Sequence, residues 1–221
     1  MAFANELFER ARPIWDAQLA HPFVIGLGDG SLPQERFTNW ICQDYLYLKD
    51  FARIFAWAVA KSDRLDSMGW YAGVLHLTLN TEMGLHREYA LRFGIAPSEL
   101  EAQPLWPTTR AYADFLLRTA ADGDLADLVA VLLPCSWGYA YVAQHLSRAY
   151  APADNRYADW IAQYISPDFV QASEWLKAEM NRLADGIAAP KRERLFSLFE
   201  TSSRYEWLFW EMCWKGERWP V

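Results

Sequence analysis

Among the 221 residues, few side chains combine a reactive type with a telling neighbourhood, and Cys135 is the first of them. It follows Pro134 at the end of the apolar run Leu128–Cys135. A proline inside a helix removes one backbone donor and pushes away the carbonyl four residues earlier, here that of Ala130. Kinks of this kind can shape cavities. Cys135 would face the irregular spot, with Tyr139 one turn further along the same face. Two readings stand: a thiol placed for chemistry, or one of the small inert core residues that most buried cysteines are. Cys42 and Cys213 lack such a context and read as inert. Asp44 and Tyr47, three apart within Gln43–Asp50, put a carboxylate and a phenol on one helix face, able to hold a polar ring edge or to form a solvated stripe. Glu206 lies in the most aromatic stretch, Tyr205–Met212. A carboxyl among so many rings is poorly solvated and becomes a proton donor near neutrality, unless it points outwards. Glu82 and His86, at i and i+4, form the only carboxylate–histidine pair with metal-ligand spacing. A di-iron site needs about six ligands from several helices, and only His21, His76 and His145 remain. A supporting hydrogen bond is therefore favoured there over a metal. His21, just before Pro22, reads as a helix-end residue meeting the last carbonyls.

The elements that must position these groups are helical, since helix periods dominate and no alternating run flanked by hairpin turns stands out. Phe3, Leu7, Phe8, Ala11, Ile14 and Trp15 predict an amphipathic first helix, bent at Pro13. A glycine-rich turn, Gly26–Gly30, follows, and Ser31-Leu32-Pro33-Gln34 reads as a capping box opening a long helix to about Lys61. Another helix is expected from about Asp66 to Phe93, ended by Gly94. Thr108 or Thr109 after Pro107 caps a helix that Gly123 ends, and Asp124 caps the next. That one, to about Tyr150, is apolar on nearly every side through Leu125–Leu133, as a central buried helix is. Asp154, Ser166 and Pro190 mark three further starts. Seven or so helices with short connections predict one all-α domain over residues 1–221.

Composition narrows the function classes. With 21 Lys+Arg against 28 Asp+Glu the net charge is −7, which disfavours binding to nucleic acid or to an anionic membrane. Hydrophobic residues at 52% and charged ones at 22% exclude disorder as the main state. The 12 Trp, 11 Tyr and 12 Phe must fill a core or a cavity. Three cysteines without a CxxC spacing exclude a disulfide framework and a zinc knuckle, and suit a reducing compartment. Glu6, Glu9, Arg10 and Arg12 interrupt the N-terminal stretch, so it lacks a signal-peptide core. The longest apolar runs, Ile54–Ala60 and Leu128–Cys135, fall short of the ~20 residues of a membrane span. A soluble, cytoplasmic protein is expected. Dinucleotide, P-loop and α/β-hydrolase motifs are absent from the sequence.

Six stretches together resemble the TenA family, the thiaminase II or aminopyrimidine aminohydrolase family. They are His21–Val24 with its following Gly-Asp-Gly, Gln43–Phe51, Glu82–Tyr89, Pro107–Tyr112, Leu133–Tyr139 and Tyr205–Cys213, in family order over nearly the whole chain. The resemblance implies a haem-oxygenase-like all-α bundle, a homotetramer and no bound cofactor or metal. By the same resemblance Cys135 matches the nucleophile, in the cysteine-bearing branch, and Asp44 the carboxylate that binds the exocyclic amino group of a pyrimidine. Glu206 matches the acid/base at the ring nitrogen, Tyr112 a phenol at the reacting centre, Tyr47 and Tyr139 the aromatic pair flanking the ring, and Tyr164 a further active-site tyrosine. Tyr141 stands where the family often has Glu. The expected substrates are 4-amino-5-aminomethyl-2-methylpyrimidine and thiamine. The competing expectations are a di-iron or cofactor-free oxidase of the same superfamily, a haem protein using His21, and a non-catalytic pyrimidine-binding protein.

Cys135 is expected inside a helix, among carboxylates and phenols rather than Lys or Arg, and such surroundings disfavour a resting thiolate. At an ordinary thiol pKa of about 8.5, only about 3% would be ionised at pH 7. The free protein is therefore expected to hold a neutral thiol that ionises when substrate arrives. Alkylation of Cys135 without substrate should rise with pH with no inflection below about 7, and an inflection there would refute this.

Overall fold

The structure, a computed structural model, describes residues 2–221. Among the described residues there are eleven α-helices, one π-helical turn and no strand. The helices are α1 (Phe3–Leu19), α2 (Pro22–Asp29), α3 (Gln34–Lys61) and α4 (Leu65–Leu77), followed by the π turn Thr78–Glu82. Then come α5 (Met83–Arg92), α6 (Pro97–Glu101), α7 (Pro107–Asp122) and α8 (Leu125–Ala149). The last three are α9 (Ala158–Tyr164), α10 (Pro167–Leu183) and α11 (Ala189–Lys215). The chain divides into two compact units, one of Met1–Pro33 with Val129–Trp214, the other of Gln34–Leu128 with Lys215–Val221.

In the first unit, α1 buries Phe3, Leu7, Ala11 and Trp15, each four residues after the last, so its apolar stripe follows the helix period. Buried indoles need acceptors. Trp15 Nε1 donates to Ser203 Oγ at 2.9 Å, and Trp210 Nε1 to Gln18 Oε1 at 3.0 Å. These bonds tie α1 to α11. Gly26 and Gly28 do not make the expected turn; they lie within α2, and only Gly30, at φ 80°, leaves the helix. The glycines are there for close approach. A Cβ on Gly26 would meet Leu32 Cα at 2.9 Å, and one on Gly28 would meet Tyr150 Cδ2 at 2.5 Å and Leu146 Cδ2 at 2.8 Å. Ser166 caps α10 as expected, accepting from Phe169 N. Asp154 does not start a helix; α9 begins at Ala158, because Asn155 holds this turn instead. Its amide donates to Leu27 O at 2.9 Å and its Oδ1 accepts from Tyr157 N at 2.9 Å.

In the second unit, α3 starts at Gln34, just past Pro33, rather than within the Ser31–Gln34 box. Trp106, not Thr108 or Thr109, stands at the N-cap of α7, with Pro107 in its first turn. Thr108 N donates to Glu217 Oε2 at 2.9 Å, so a carboxylate from the chain's end occupies the positive end of the helix. The Arg218 guanidinium lies 3.8 Å from the centre of the Trp106 ring, and Trp219 Nε1 donates to Leu105 O at 2.9 Å. Asp124 caps α8 as predicted, accepting from Asp127 N at 3.0 Å. The single helix expected from Asp66 to Phe93 is interrupted. Its buried residues run Ser67, Tyr71, Thr78, Met83, His86, Ala90. The step of five from Thr78 to Met83 is one residue too long for an α-helix, and the π turn absorbs it. This interruption and the short helices α2 and α6 account for the excess over the eight helices whose starts the sequence marks.

By length and composition α8 could cross a bilayer, but 83% of its apolar window is buried inside the protein, which makes it the core helix that Leu125–Leu133 predicted. Two glycine substitutions separate the roles of space and propensity. Gly28→Ala should destabilise the protein by about 1–3 kcal/mol through overpacking. Gly69→Ala, in α4 with nothing within 4 Å, should stabilise it by about 0.5–1 kcal/mol. Chemical denaturation of both variants checks the contrast.

Candidate active site

The residues singled out from the sequence fall into two sets, one in each unit. The first set is carried by α8 and α11. Ser202 Oγ donates to Val131 O at 2.7 Å, beside the carbonyl that Pro134 deprives of its donor. Eight residues further along both helices, the rings of Tyr139 and Trp210 lie 5.2 Å apart. Equal steps in the same direction mean that the two helices run parallel here. Cys135 and Glu206, each four residues past the first contact, therefore stand at the same level on facing helices. Glu206 is 3% exposed, whereas Cys135 is only half-buried. One turn beyond Cys135 the aromatic residues pack on one another: Tyr139 lies 4.8 Å from Tyr164, and Trp160 4.7 Å from Tyr164, ring centre to ring centre. A thiol and a buried carboxyl at one level, with phenols one turn further on, can supply a nucleophile, a proton donor and a surface for a flat ring.

The second set belongs to α3, α5 and α7. Gln43, fully buried, spends both ends of its amide on one connection: Nε2 donates to Pro104 O at 3.0 Å, while Oε1 accepts from Trp106 N at 3.0 Å and Thr109 Oγ1 at 2.7 Å. One turn beyond Gln43 and Thr109, the rings of Tyr47 and Tyr112 stack at 5.3 Å with planes 25° apart. Beside Gln43, Asp44 Oδ2 lies 2.6 Å from His86 Nε2, and both side chains are buried. His86 Nδ1 is 3.0 Å from Glu82 O, a carbonyl that can only accept, so Nδ1 carries a hydrogen. Burial pushes the His86 pKa down, but the Asp44 hydrogen bond, the Asp44 charge and Glu82 outweigh it and hold the value above the ordinary one. With the ring protonated, Nε2 donates to Asp44.

Sequence reasoning favoured a supporting hydrogen bond for His86 over a metal. The two contacts explain why: neither ring nitrogen is left for a metal. It missed which residue His86 supports, and it gave Gln43 no role; the only signal was the position of Gln43 next to Asp44. His21 meets a last-turn carbonyl of α1 as expected, but through its backbone, N donating to Gln18 O at 3.0 Å. Its side chain instead caps α2, Nδ1 accepting from Phe23 N at 3.1 Å, and its Nε2 lies 3.1 Å from Glu211 Oε2. Both nitrogens are thus engaged, which removes the axial ligand that a haem reading needs. Burial, with Glu99 adding and Arg218 opposing, pushes the Cys42 thiol up to about 11, and Cys213 is fully buried, so both suit inert roles. Tyr141 sits among Phe8 and Trp15, and its hydroxyl donates to Asp16 at 3.3 Å.

The sequence pattern of the TENA/THI-4/PQQC family matches residues 8–216. An aminopyrimidine aminohydrolase of Halalkalibacterium halodurans is 42% identical over 220 residues, covering 99% of this chain and 98% of the relative. A crystal structure described as a TenA family transcription regulator from Silicibacter sp. is 32% identical with a TM-score of 0.90, covering 97% of this chain and 96% of its own. A domain of unknown function with a haem-oxygenase-like fold from Shewanella denitrificans, 13% identical, superposes with a TM-score of 0.75 over 96% of this chain and 92% of its own. The fold is therefore the all-α, haem-oxygenase-like one that the resemblance implied.

Glu82 offers a test of the second set. Burial pushes its carboxyl from the ordinary 4.5 up to about 7; the His86 charge and a Thr78 hydrogen bond oppose this, and the Asp44 charge adds to it. Between those values the folded protein keeps a proton that the unfolded chain releases, so stability falls as pH rises from about 4.5 to about 7. Glu82→Gln cannot ionise and escapes that loss. Its melting temperature relative to wild type should climb by about 3 °C or more between pH 5 and pH 8, and a flat difference would mean that Glu82 titrates as a solvated carboxylate.

Proposed function

Because the chain belongs to the TENA/THI-4/PQQC family, we propose that it is an aminopyrimidine aminohydrolase, or thiaminase II. It hydrolyses 4-amino-5-aminomethyl-2-methylpyrimidine, and thiamine as a further substrate, to the hydroxymethylpyrimidine used in thiamine salvage. The observation that carries this reading is the level shared by Cys135 and Glu206 where α8 and α11 run parallel. Water displaces a group from the CH₂ of an aminopyrimidine only slowly. In the proposed reaction the Cys135 thiolate adds to a ring carbon, and Glu206 gives a proton to the ring nitrogen that receives the electrons. Those electrons then expel ammonia from the protonated aminomethyl group, or the thiazolium as a neutral thiazole, and leave an exocyclic methylene. Water adds to the exocyclic carbon, and loss of the thiolate restores the aromatic ring. Asp44 accepts a hydrogen bond from the exocyclic amino group, and a site built for that group rejects rings lacking it. Tyr47 and Tyr139 stack on the ring and exclude water. Tyr112 hydrogen-bonds the reacting centre, and Tyr164 lines the pocket beside Tyr139.

We also read residues 1–221 as one domain, supported by a unit boundary that falls inside α8 rather than in a linker. A homotetramer that needs no cofactor, resides in the cytoplasm and binds neither nucleic acid nor membrane completes the proposal, consistent with the acidic net charge of −7.

The test is a product assay with the aminopyrimidine and thiamine side by side. Wild type should release hydroxymethylpyrimidine from both. Cys135→Ser should bind the pyrimidine with a Kd near that of wild type while kcat falls by about 10³ or more. Binding by wild type without turnover would make the protein a pyrimidine binder instead.

A further inference from the structure

The Asp44–His86 pair carries information about selectivity that the hydrolytic reaction does not use. Asp44 has two oxygens. Oδ2 is taken by His86 Nε2 at 2.6 Å, and His86 is itself fixed by the Nδ1 bond to Glu82 O at 3.0 Å. The fixing has a structural origin. The π turn ends at Glu82, the residue whose carbonyl holds the imidazole, and its additional residue turns every later side chain by about 100° around the helix axis. That rotation gives Met83, His86 and Ala90 the buried face.

We propose that His86 is a specificity-determining positioning residue: by occupying Oδ2 with a donated hydrogen it fixes the Asp44 carboxylate in place with one oxygen, Oδ1, left to accept from a ligand. This rests on the reading of Asp44 as the group that meets the exocyclic amino function. A charged carboxylate oxygen with no hydrogen of its own accepts from an amino group. It repels the oxo group of the corresponding oxopyrimidine, since two acceptors then face each other. Without His86 the buried carboxylate is free to turn, and a water in the vacated space can bond it with one hydrogen and offer the other to a ligand. Such a water donates to an oxo group as readily as it accepts from an amino group, so the selection against the oxo ring is lost.

The experiment measures calorimetric Kd values for 4-amino-5-hydroxymethyl-2-methylpyrimidine and its 4-oxo counterpart, on wild type and on His86→Leu, His86→Asn and His86→Gln. Wild type should prefer the amino ligand. His86→Leu should cut that preference at least about tenfold. His86→Gln, whose amide N–H extends to the place of Nε2, should keep most of it. His86→Asn, too short to reach Asp44, should behave like the leucine variant and replaces it should that variant not fold. A merely structural role weakens both ligands equally; an amino-to-oxo ratio unchanged in the leucine and asparagine variants overturns the proposal. Turnover of the aminopyrimidine by the same wild-type preparation keeps the two questions apart. An active wild type with an unchanged ratio refutes only the role of His86, whereas an inactive one refutes the hydrolase reading beneath it.

Discussion

Pro134 leaves a carbonyl of α8 without its helix partner, and Ser202 brings a hydroxyl to the neighbouring carbonyl of Val131; the register of α8 against α11 depends on that meeting. One such bond contributes only about 1 kcal/mol net, and the Tyr139–Trp210 contact a similar amount. Register is nonetheless decided by the alternative. A slip of one residue would separate Ser202 from Val131 O and Tyr139 from Trp210 at the same time. It would also rotate Glu206 away from the level of Cys135. The chemical residues thus inherit their placement from a contact that takes no part in chemistry.

The second unit repeats this logic with different residues. Gln43 ties α3 to the start of α7 through three hydrogen bonds, and the phenols of Tyr47 and Tyr112 meet one turn later. In both units a buried polar side chain one turn ahead of the functional ring or carboxyl does the docking. Such fully satisfied polar contacts specify a single arrangement more sharply than apolar packing does. The residues after α11 serve α7 in the same spirit, Glu217 accepting from the Thr108 amide of its first turn.

Helix periodicity made most of this fold legible, because a repeat of 3.6 is a local property: the stripe of α1, the length of α3, the cap of α8 at Asp124 and the start of α10 at Ser166 follow from residues within a few positions of each other. The failures are equally physical. Gly26 and Gly28 look like a turn when read locally, but the atoms that demand glycine belong to Leu32, Leu146 and Tyr150. The π turn needs a step of five in a buried stripe whose membership depends on neighbours not yet known. The types and spacing at Cys135, Asp44 and Glu206 marked them as candidates, and family resemblance supplied their roles. The partners Ser202 and His86 lie 71 and 42 residues from the groups they hold, and no local pattern identifies them.

The first unit is assembled from the two ends of the sequence, with Trp15 bonded to Ser203 across 188 positions. On a ribosome adding about 5–20 residues per second, roughly 10–40 s separate the emergence of that tryptophan from that of its acceptor. The second unit is largely contiguous and can collapse during that interval. The oily face of α1 meets Trp137 and Tyr141 once α8 has been made, but the acceptor of its buried indole arrives only with α11. A growing chain is therefore at its most adhesive before α8 emerges, and yield in a cell will depend on how well that helix is shielded while it waits.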